Sequence, residues 1–309
     1  MANITAARIN NLQSSIALIL GNGSGQSGYG QVVSSSPVNN TSDVVEAADM
    51  NAIYADILQA RVHQVGPGDI GIAEVVQNLN TVAEATSTFI SDAGVITTDP
   101  DGFKKGILDF EALMAQVQTD KAVMHPSQAA LEPAINSVRT SGWNGLIVHE
   151  VAVTFSSADA RRFFFNTGGE IRLSANNTSA TTPKGLDWNQ LCSQVGTIKF
   201  SSETTTSSTG GGTAIGNQDL TGAFQNIYQK IGSGTYSAVY AGNIYTVKAR
   251  SDISTRIIFR IEFNDVVFDN NIDNNVDGRL ESVLQHYRAN ATDGVTVIAP
   301  SYFNTTALT

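Results

Sequence analysis

The sequence predicts an α+β fold, in which N-terminal amphipathic helices precede a β-rich, antiparallel, sandwich-like domain with short helices at its edges. Apolar residues recur at helical spacing through the first 125 residues. After residue 142 the chain consists of short alternating segments separated by Gly, Ser and Thr. Between these parts lies a stretch with two prolines, which is typical of a linker. We therefore expect a helical docking region over 1–125, a linker over 126–142 and a β-rich domain over 143–309.

The stretch 143–175 shows the clearest local pattern in the chain. Residues 146–155 alternate with period two, which predicts a half-buried strand. Ser156 and Ser157 can cap a following helix, which we place at 158–165, and Gly168 supplies the positive φ that ends it. Residues 170–175 alternate again and predict a returning strand. One face of the first strand is expected to carry Ile147, His149, Val151, Val153 and Phe155.

Helical spacing in the first half predicts four helices, at about 3–20, 46–61, 72–92 and 103–121. Asp43 and Glu46 have the spacing of a capping box before the second helix. The glycine-rich stretch 21–30 is predicted to be a flexible break, and 94–102 a turn. Because each apolar stripe is narrow, we expect the helices to pack on one another, on the second half or on other subunits.

The second half is expected to contain further short elements. The patterns predict helices at 188–195 and 225–231, an exposed loop at 201–212, and strands at 196–200, 242–249, 256–264, 279–288 and 296–303.

Composition and charge exclude several classes of function. Only 15% of the 309 residues are charged, and the net charge of −10 disfavours binding to a nucleic-acid backbone. The Arg161–Arg162 pair is predicted to lie on a solvated face. The lone Cys192 excludes an intrachain disulfide, and no window of about 18 apolar residues predicts a membrane span.

One motif has the residue types of a metal site. Asp273–Gly278 fits the first half of a calcium-binding loop, in which alternate oxygen ligands converge around a glycine turn. The second half does not fit, because Leu284 occupies the twelfth position and Glu281, at the ninth, is a poor substitute. Asn, Asp and Gly are also ordinary turn residues, so a plain turn is the stronger interpretation. We predict no catalytic residues, no metal ligands and no cofactor.

Several blocks resemble virion structural proteins of contractile-tailed cyanophages and related marine phages. In the second half these blocks are 160–175, 187–200, 243–252, 274–284 and 297–303. In the first half they are 9–13, 21–38 and 49–64, and the most specific piece is FFNTGGEIR, residues 164–172. The resemblance implies a particle component at the tail, neck or fibre attachment, present in several symmetric copies.

The expected function is therefore that of a non-enzymatic virion protein. Its partners would be other virion proteins (tail, neck or fibre components) docked through the helical half, together with further copies of itself, and neither nucleic acid nor membrane. The alternative is a carbohydrate-binding module that recognises the host surface, with exposed aromatic residues beside carboxylates. The pool for that role is Trp143, Trp188, Tyr236, Tyr240 and Tyr245, most of which we expect in the core. A tail-associated glycosidase would need two carboxylates about 5–9.5 Å apart in a cleft.

Overall fold

A computed structural model describes residues 5–39, 45–67, 107–267, 275–291 and 294–308 of the chain. It confirms the α+β class, with N-terminal helices followed by two antiparallel sheets. The chain divides into two compact units. Unit 1 comprises the described residues of Met1–Ala130, Arg162–Gly168 and Arg288–Val297. Unit 2 comprises those of Leu131–Arg161, Gly169–Tyr287 and Ile298–Thr309. Unit 1 thus takes two short segments from the part of the chain predicted to be β-rich.

The described residues of unit 1 include the helices α1 (Ala6–Ile19), α2 (Ala47–Val65) and α3 (Ile107–Thr119). Helix α1 begins after Thr5, whose hydroxyl accepts a hydrogen bond from the backbone N–H of Arg8. Before α2 the backbone N–H of Glu46 donates to the Asp49 carboxylate at 2.9 Å. This cap lies one turn later than the predicted Asp43–Glu46 box, and Asp43 itself lies outside the described residues.

The three helices of unit 1 bury their apolar faces against one another. The helices therefore pack on one another, which is the first of the three alternatives that the sequence leaves open. The predicted helix at 72–92 and the turn at 94–102 lie outside the described residues. The buried residues of the cluster are Ile9, Leu12, Ile16 and Ile19 of α1, Met50, Ile53, Tyr54 and Ile57 of α2, and Phe110, Leu113, Met114 and Val117 of α3.

The strands within the described ranges form two antiparallel sheets, of six and five strands. The first has the order β1-β10-β3-β4-β5-β6 and the second β11-β2-β9-β8-β7. The strands are β1 (Ala129–Arg139), β2 (Gly145–Thr154), β3 (Glu170–Thr178), β4 (Ile198–Phe200), β5 (Thr205–Ser207), β6 (Gly212–Thr213), β7 (Gln225–Ile231), β8 (Ile244–Ile253), β9 (Arg256–Asp265), β10 (Arg279–Ala289) and β11 (Ser301–Thr306). Two further helices are α4 (Ala158–Asn166) and α5 (Pro183–Val195).

Alternation along the strands separates a buried face from an outer face, as the sequence predicts. Along β2, His149, Val151 and Val153 are fully buried, whereas Leu146 is exposed. The neighbouring β9 buries Phe259 and its alternate residues in the same way. The helix at 158–165, the strand at 170–175, the helix at 188–195 and the strands at 242–249, 256–264 and 279–288 are all found with small changes of boundary.

The predicted linker at 126–142 is wrong, because most of it forms strand β1. Strand β1 is the edge of its sheet, with β10 as its neighbour. Pro133 lacks a backbone donor, and at an edge a missing donor can face away from the neighbouring strand. Pro133 is therefore compatible with an edge strand, and Pro126 lies before the strand, in the short 3-10 helix Pro126–Gln128.

Residues 225–231 form strand β7, and the predicted helix there is wrong. The strand pairs with β8, and a bulge near Ile227 sets both Ile227 and Tyr228 in buried positions. Two consecutive buried residues disturb the period-two pattern, which made the stretch look helical. The predicted loop at 201–212 likewise contains β5, and the predicted strand at 296–303 begins only at Ser301.

Candidate functional site

Unit 2 contains a polar cluster between its two sheets, which we call the inter-sheet cluster: Glu132, His149, Ser282, His286, Tyr302 and Asn304. At its centre, Nδ1 of His149 lies 2.9 Å from Oγ of Ser282. The other ring nitrogen, Nε2, lies 2.9 Å from Oδ1 of Asn304. His149 belongs to β2 of the five-stranded sheet and Ser282 to β10 of the six-stranded sheet. The imidazole thus bridges the two layers.

The second histidine of the inter-sheet cluster makes a parallel link. Nε2 of His286, on β10, lies 2.8 Å from a carboxylate oxygen of Glu132 on β1. The His286 ring stacks on Tyr302 of β11, with ring centroids 5.7 Å apart and planes inclined by 13°. One histidine from each sheet therefore reaches residues of the other sheet.

The hydrogen-bond network assigns the tautomer of His149. The amide nitrogen of Asn304 donates to the backbone carbonyl of Asn136 at 3.1 Å, so its Oδ1 faces the imidazole. Because a carbonyl oxygen only accepts, Nε2 must carry the proton and Nδ1 must accept from the Ser282 hydroxyl. Burial lowers the pKa of His149 below its usual value, although the bond to Asn304 opposes this, and the ring is held neutral.

The order serine, histidine, asparagine has the residue types of a nucleophile, a base and an orienting group. The surroundings do not allow that chemistry, since Ser282 is 1% exposed and His149 is fully buried. A substrate carbonyl has no approach to the Ser282 hydroxyl. The inter-sheet cluster is therefore a buried polar link between two β-sheets, in which both ring nitrogens of His149 have partners.

The described part of the candidate calcium loop makes hydrogen bonds to other residues of the protein. Asp273 and Asn274 lie outside the described residues, but the Asp277 carboxylate accepts hydrogen bonds from the backbone N–H and the hydroxyl of both Thr181 and Thr182. Burial alone would raise the pKa of Asp277, but these hydrogen bonds outweigh it and lower the pKa. Asp277 thus ties the turn before β10 to the start of α5, which supports the plain-turn interpretation.

Glu281, the other candidate calcium ligand discussed for that motif, also bonds to side chains of the protein. Glu281, the ninth residue of the motif, forms an ion pair with Arg279 at 2.6 Å and accepts from Asn136 at 2.7 Å. Leu284, at the twelfth position, is fully buried in the core. Among the described residues, no group of three or more His, Cys, Asp and Glu side chains could hold a metal ion.

A buried ion pair joins Lys184 of α5 to Asp265, the last residue of β9. Nζ of Lys184 is 2.6 Å from a carboxylate oxygen of Asp265, and their side chains are 1% and 0% exposed. Lys184 also donates to the backbone carbonyl of Val267 at 2.8 Å. Burial raises the pKa of Asp265, and the Lys184 ammonium opposes that rise. Sequence reasoning missed this pair because the two residues are distant in sequence and neither interrupts its local pattern.

Arg161 is buried as well, which corrects the predicted solvated face for the Arg161–Arg162 pair. Its guanidinium donates to Asn217 and Ser251 at 2.7 and 2.6 Å and to the carbonyls of Ser254 and Arg256. Burial lowers its pKa to about 10. The acceptors of these hydrogen bonds are uncharged oxygen atoms. Through them the Arg161 guanidinium stabilises the turn between β8 and β9.

Most of the aromatic pool for carbohydrate recognition is inside the protein, as expected. Trp143, Trp188, Tyr240 and Tyr245 are each at most 4% exposed, whereas Tyr236 is 52% exposed. Trp143 and Trp188 pack edge to face with centroids 4.9 Å apart. These rings form a core, and only Tyr236 among the five could stack on a sugar.

Cys192 is buried, and burial raises the pKa of its thiol to about 12. The sulfur therefore stays protonated at neutral pH, which excludes a thiolate nucleophile at this position. In the described ranges no helix combines the length and apolarity that crossing a bilayer requires.

Residues of two blocks that the sequence analysis compared with virion proteins, 21–38 and 160–175, contact each other in unit 1. An amide hydrogen of Asn166 donates to the carbonyl of Gln26 at 2.8 Å, and another contact reaches Gly28 at 3.0 Å. Gly30 has φ +72° and lies so close to Phe163 that a Cβ would fall 2.2 Å from the ring. The glycine-rich stretch predicted to be a flexible break is therefore packed and hydrogen-bonded.

Comparison with known family models, with curated proteins and with solved structures finds no match to this chain.

Proposed function

We propose that this chain is a non-enzymatic structural subunit of a phage particle, located at the neck, tail or fibre attachment and bound to other particle proteins. The observation that supports the proposal best is the contact between blocks 21–38 and 160–175. These blocks are far apart in sequence, and both carry the resemblance to virion proteins. In this chain the two blocks therefore contribute to one packed element.

The chemistry of the described residues also favours a structural role. Three side chains with catalytic residue types, Ser282, His149 and Cys192, are buried. The carboxylates of Asp265 and Asp277 are engaged with Lys184 and with the threonines before α5. Buried polar groups engaged within the protein add rigidity and specificity to a fold, which is what a load-transmitting subunit requires.

The proposed docking surface of the helical half consists of side chains outside the three-helix cluster. Among the described residues of unit 1, the large apolar side chains that remain exposed are Leu18, Val32 and Val123, at 42, 85 and 47%. Because the apolar stripes of the helices are already buried, these three residues are the candidates for contact with neighbouring particle proteins. Apolar side chains at the centre of an interface contribute most when a partner excludes water from them.

The first test is the composition of purified particles. We expect peptides of this chain in density-purified particles of the phage that encodes it, in a stoichiometric ratio to a tail or neck protein that matches a cyclic symmetry. Its absence from intact particles, with abundant expression in the infected cell, would refute the proposal.

A second experiment tests the docking surface. Particles assembled without the chain are mixed with the wild-type protein or with a triple variant, Leu18→Asp, Val32→Asp and Val123→Asp, and are then sedimented. We expect the wild type to co-sediment and the triple variant to stay in the supernatant. The matched control, Leu131→Asp with Ile231→Asp, changes exposed apolar residues of unit 2 and should still co-sediment. Equal binding by all three proteins would remove the docking role from unit 1.

A further inference from the structure

The segment 21–30, which follows α1, has an exposed tip. Asn22, Ser24 and Gly25 are exposed, whereas Gly28 and Tyr29 are buried. Exposed loop tips are the places where water and proteases reach a folded chain most readily. The side chain of Asn22 is therefore in contact with solvent.

The base of the segment is held at both ends. The backbone N–H of Gly30 donates to the carbonyl of Gly21 at 2.9 Å. The side-chain amide of Asn166 donates to the carbonyls of Gln26 and Gly28 at 2.8 and 3.0 Å. The tip thus projects from a fixed base, and a change in its length must act on these hydrogen bonds.

Asn22 and Gly23 form one of the two Asn–Gly pairs in the chain. Glycine has no Cβ, so its backbone nitrogen can approach the side-chain carbonyl carbon of the asparagine before it. Within the described ranges, no hydrogen bond engages the Asn22 side chain or the N–H of Gly23. Position 23 also requires glycine, because φ is +58° and a Cβ would lie 2.5 Å from the carbonyl oxygen of Ser27. The fold therefore keeps a reactive pair at an exposed tip.

The second pair, Asn144–Gly145, lies in a different environment. Gly145 is buried as the first residue of β2, and it pairs with Asp265 of β9. Its nitrogen can react with the Asn144 side chain only if this end of the strand opens, which costs free energy. The structure thus distinguishes two pairs that are equivalent in sequence.

We infer that Asn22 is a site of spontaneous deamidation. The backbone nitrogen of Gly23 attacks Cγ of Asn22, and a C–N bond forms while the bond from Cγ to the side-chain nitrogen breaks. The proton of the Gly23 N–H leaves with that side-chain nitrogen as ammonia, and a cyclic imide remains. Water then opens the imide at either carbonyl, where a hydroxyl joins the carbon and a hydrogen joins the nitrogen. The products are aspartate, or isoaspartate in which the main chain runs through Cγ.

Isoaspartate at position 22 would change the contact between blocks 21–38 and 160–175. It lengthens the main chain by one methylene next to Gly21, and it adds one negative charge to a chain of net charge −10. The hydrogen bonds from Gly30 and Asn166 fix the base of the segment, so the longer tip strains them. The packed element therefore loosens as the protein ages. This inference does not depend on a role in a phage particle, because it concerns the isolated chain.

Peptide mapping of the full chain by mass spectrometry, after incubation at neutral and at mildly alkaline pH, tests the reaction. We expect Asn22 to be converted at least about tenfold faster than Asn144, because β2 must open before Asn144 reacts. The rate at Asn22 should rise about tenfold for each unit of pH, since the attacking nitrogen must lose its proton. In urea the two pairs should react at similar rates. Equal rates in the folded protein, a rate at Asn22 that does not depend on pH, or an Asn22 that reacts only in urea would each overturn the inference.

A second readout follows the packed element. Asn22→Gln prevents fast ring closure, because the longer side chain would have to form a larger ring, and Asn22→Asp adds the charge without lengthening the main chain. We expect ageing to lower the urea midpoint of the wild type and to leave that of Asn22→Gln unchanged. Fresh Asn22→Asp should unfold like the fresh wild type, since the side chain is exposed. An aged wild type that contains isoaspartate at position 22 and keeps its midpoint would overturn the loosening of the packed element.

Discussion

Nδ1 of His149 lies 2.9 Å from Oγ of Ser282, and this single hydrogen bond joins β2 of one sheet to β10 of the other inside unit 2. The second ring nitrogen bonds to Asn304, so both nitrogens of a fully buried imidazole have partners. A buried polar group is costly when unpaired but nearly neutral when satisfied. We therefore expect that removing one hydrogen-bond partner of His149 lowers the free energy of unfolding.

Removing the Ser282 hydroxyl tests this directly. Ser282→Ala leaves Nδ1 of His149 buried without a donor, so we expect the free energy of unfolding to fall by about 1–3 kcal/mol. The measurement is urea denaturation followed by circular dichroism. The matched control is Ser174→Ala on the neighbouring β3, where the side chain is half-buried, and it should change stability by less than about 0.5 kcal/mol. Equal effects of the two substitutions would contradict the bridging role.

His63 should make the stability of unit 1 depend on pH. Its ring is fully buried, with Nε2 2.9 Å from the backbone carbonyl of Thr167, and burial lowers its pKa to about 4. In the unfolded chain the pKa is about 6.5. Between these values the unfolded state binds the proton more readily, so the free energy of unfolding falls as the pH falls below about 6.5. The fall is complete near pH 4 and amounts to about 3 kcal/mol.

Denaturation curves at intervals between pH 7.5 and 4 measure this dependence. The comparison is His63→Gln, which has no titrating group and can still donate to the Thr167 carbonyl. As the pH falls from 7.5 to 4, we expect the free energy of unfolding to decrease more for the wild type than for the variant. A difference that stays constant with pH would show that the folded and unfolded states bind the His63 proton equally.

Residue periodicity predicted the regular elements well, and the exceptions have physical reasons. Strand β2 and helix α5 follow their periods because burial on one face dictates their residues. Strands β1 and β7 depart from theirs, since an edge position permits Pro133 and a bulge puts Ile227 and Tyr228 in buried positions. Such departures depend on the neighbouring strand, which a local pattern does not contain.

The inter-sheet cluster could be predicted only in part. Alternation along β2 placed His149 on the same face as Val151 and Val153, and that face is buried. Its partners Ser282 and Asn304 are 133 and 155 residues away along the chain. Their proximity is created by the order of the strands in two sheets, so the signal available in the sequence was a histidine among buried residues and nothing more.

The buried pair of Lys184 and Asp265 should show a non-additive mutational effect. Lys184→Met leaves a carboxylate buried without its cation, and we expect a loss of about 3–5 kcal/mol. Adding Asp265→Leu removes that charge as well and should restore much of the lost stability, because two apolar side chains of similar size can replace a buried ion pair. Thermal unfolding of both variants measures the coupling. Additive losses in the double variant would mean that the two charges do not compensate each other.

Gly25 and Gly30 lie in the same segment, and substituting each of them distinguishes the cost of backbone conformation from the cost of packing. Gly30 has φ +72°, and a Cβ there would lie 2.2 Å from the Phe163 ring, whereas Gly25 has φ +60° and open space around it. Gly25→Ala should therefore cost only the left-handed conformation, about 1–2 kcal/mol. Gly30→Ala adds an overpacked contact and should cost about 1–3 kcal/mol more. Denaturation of both variants checks the difference, and equal losses would show that block 21–38 does not pack on block 160–175 as described.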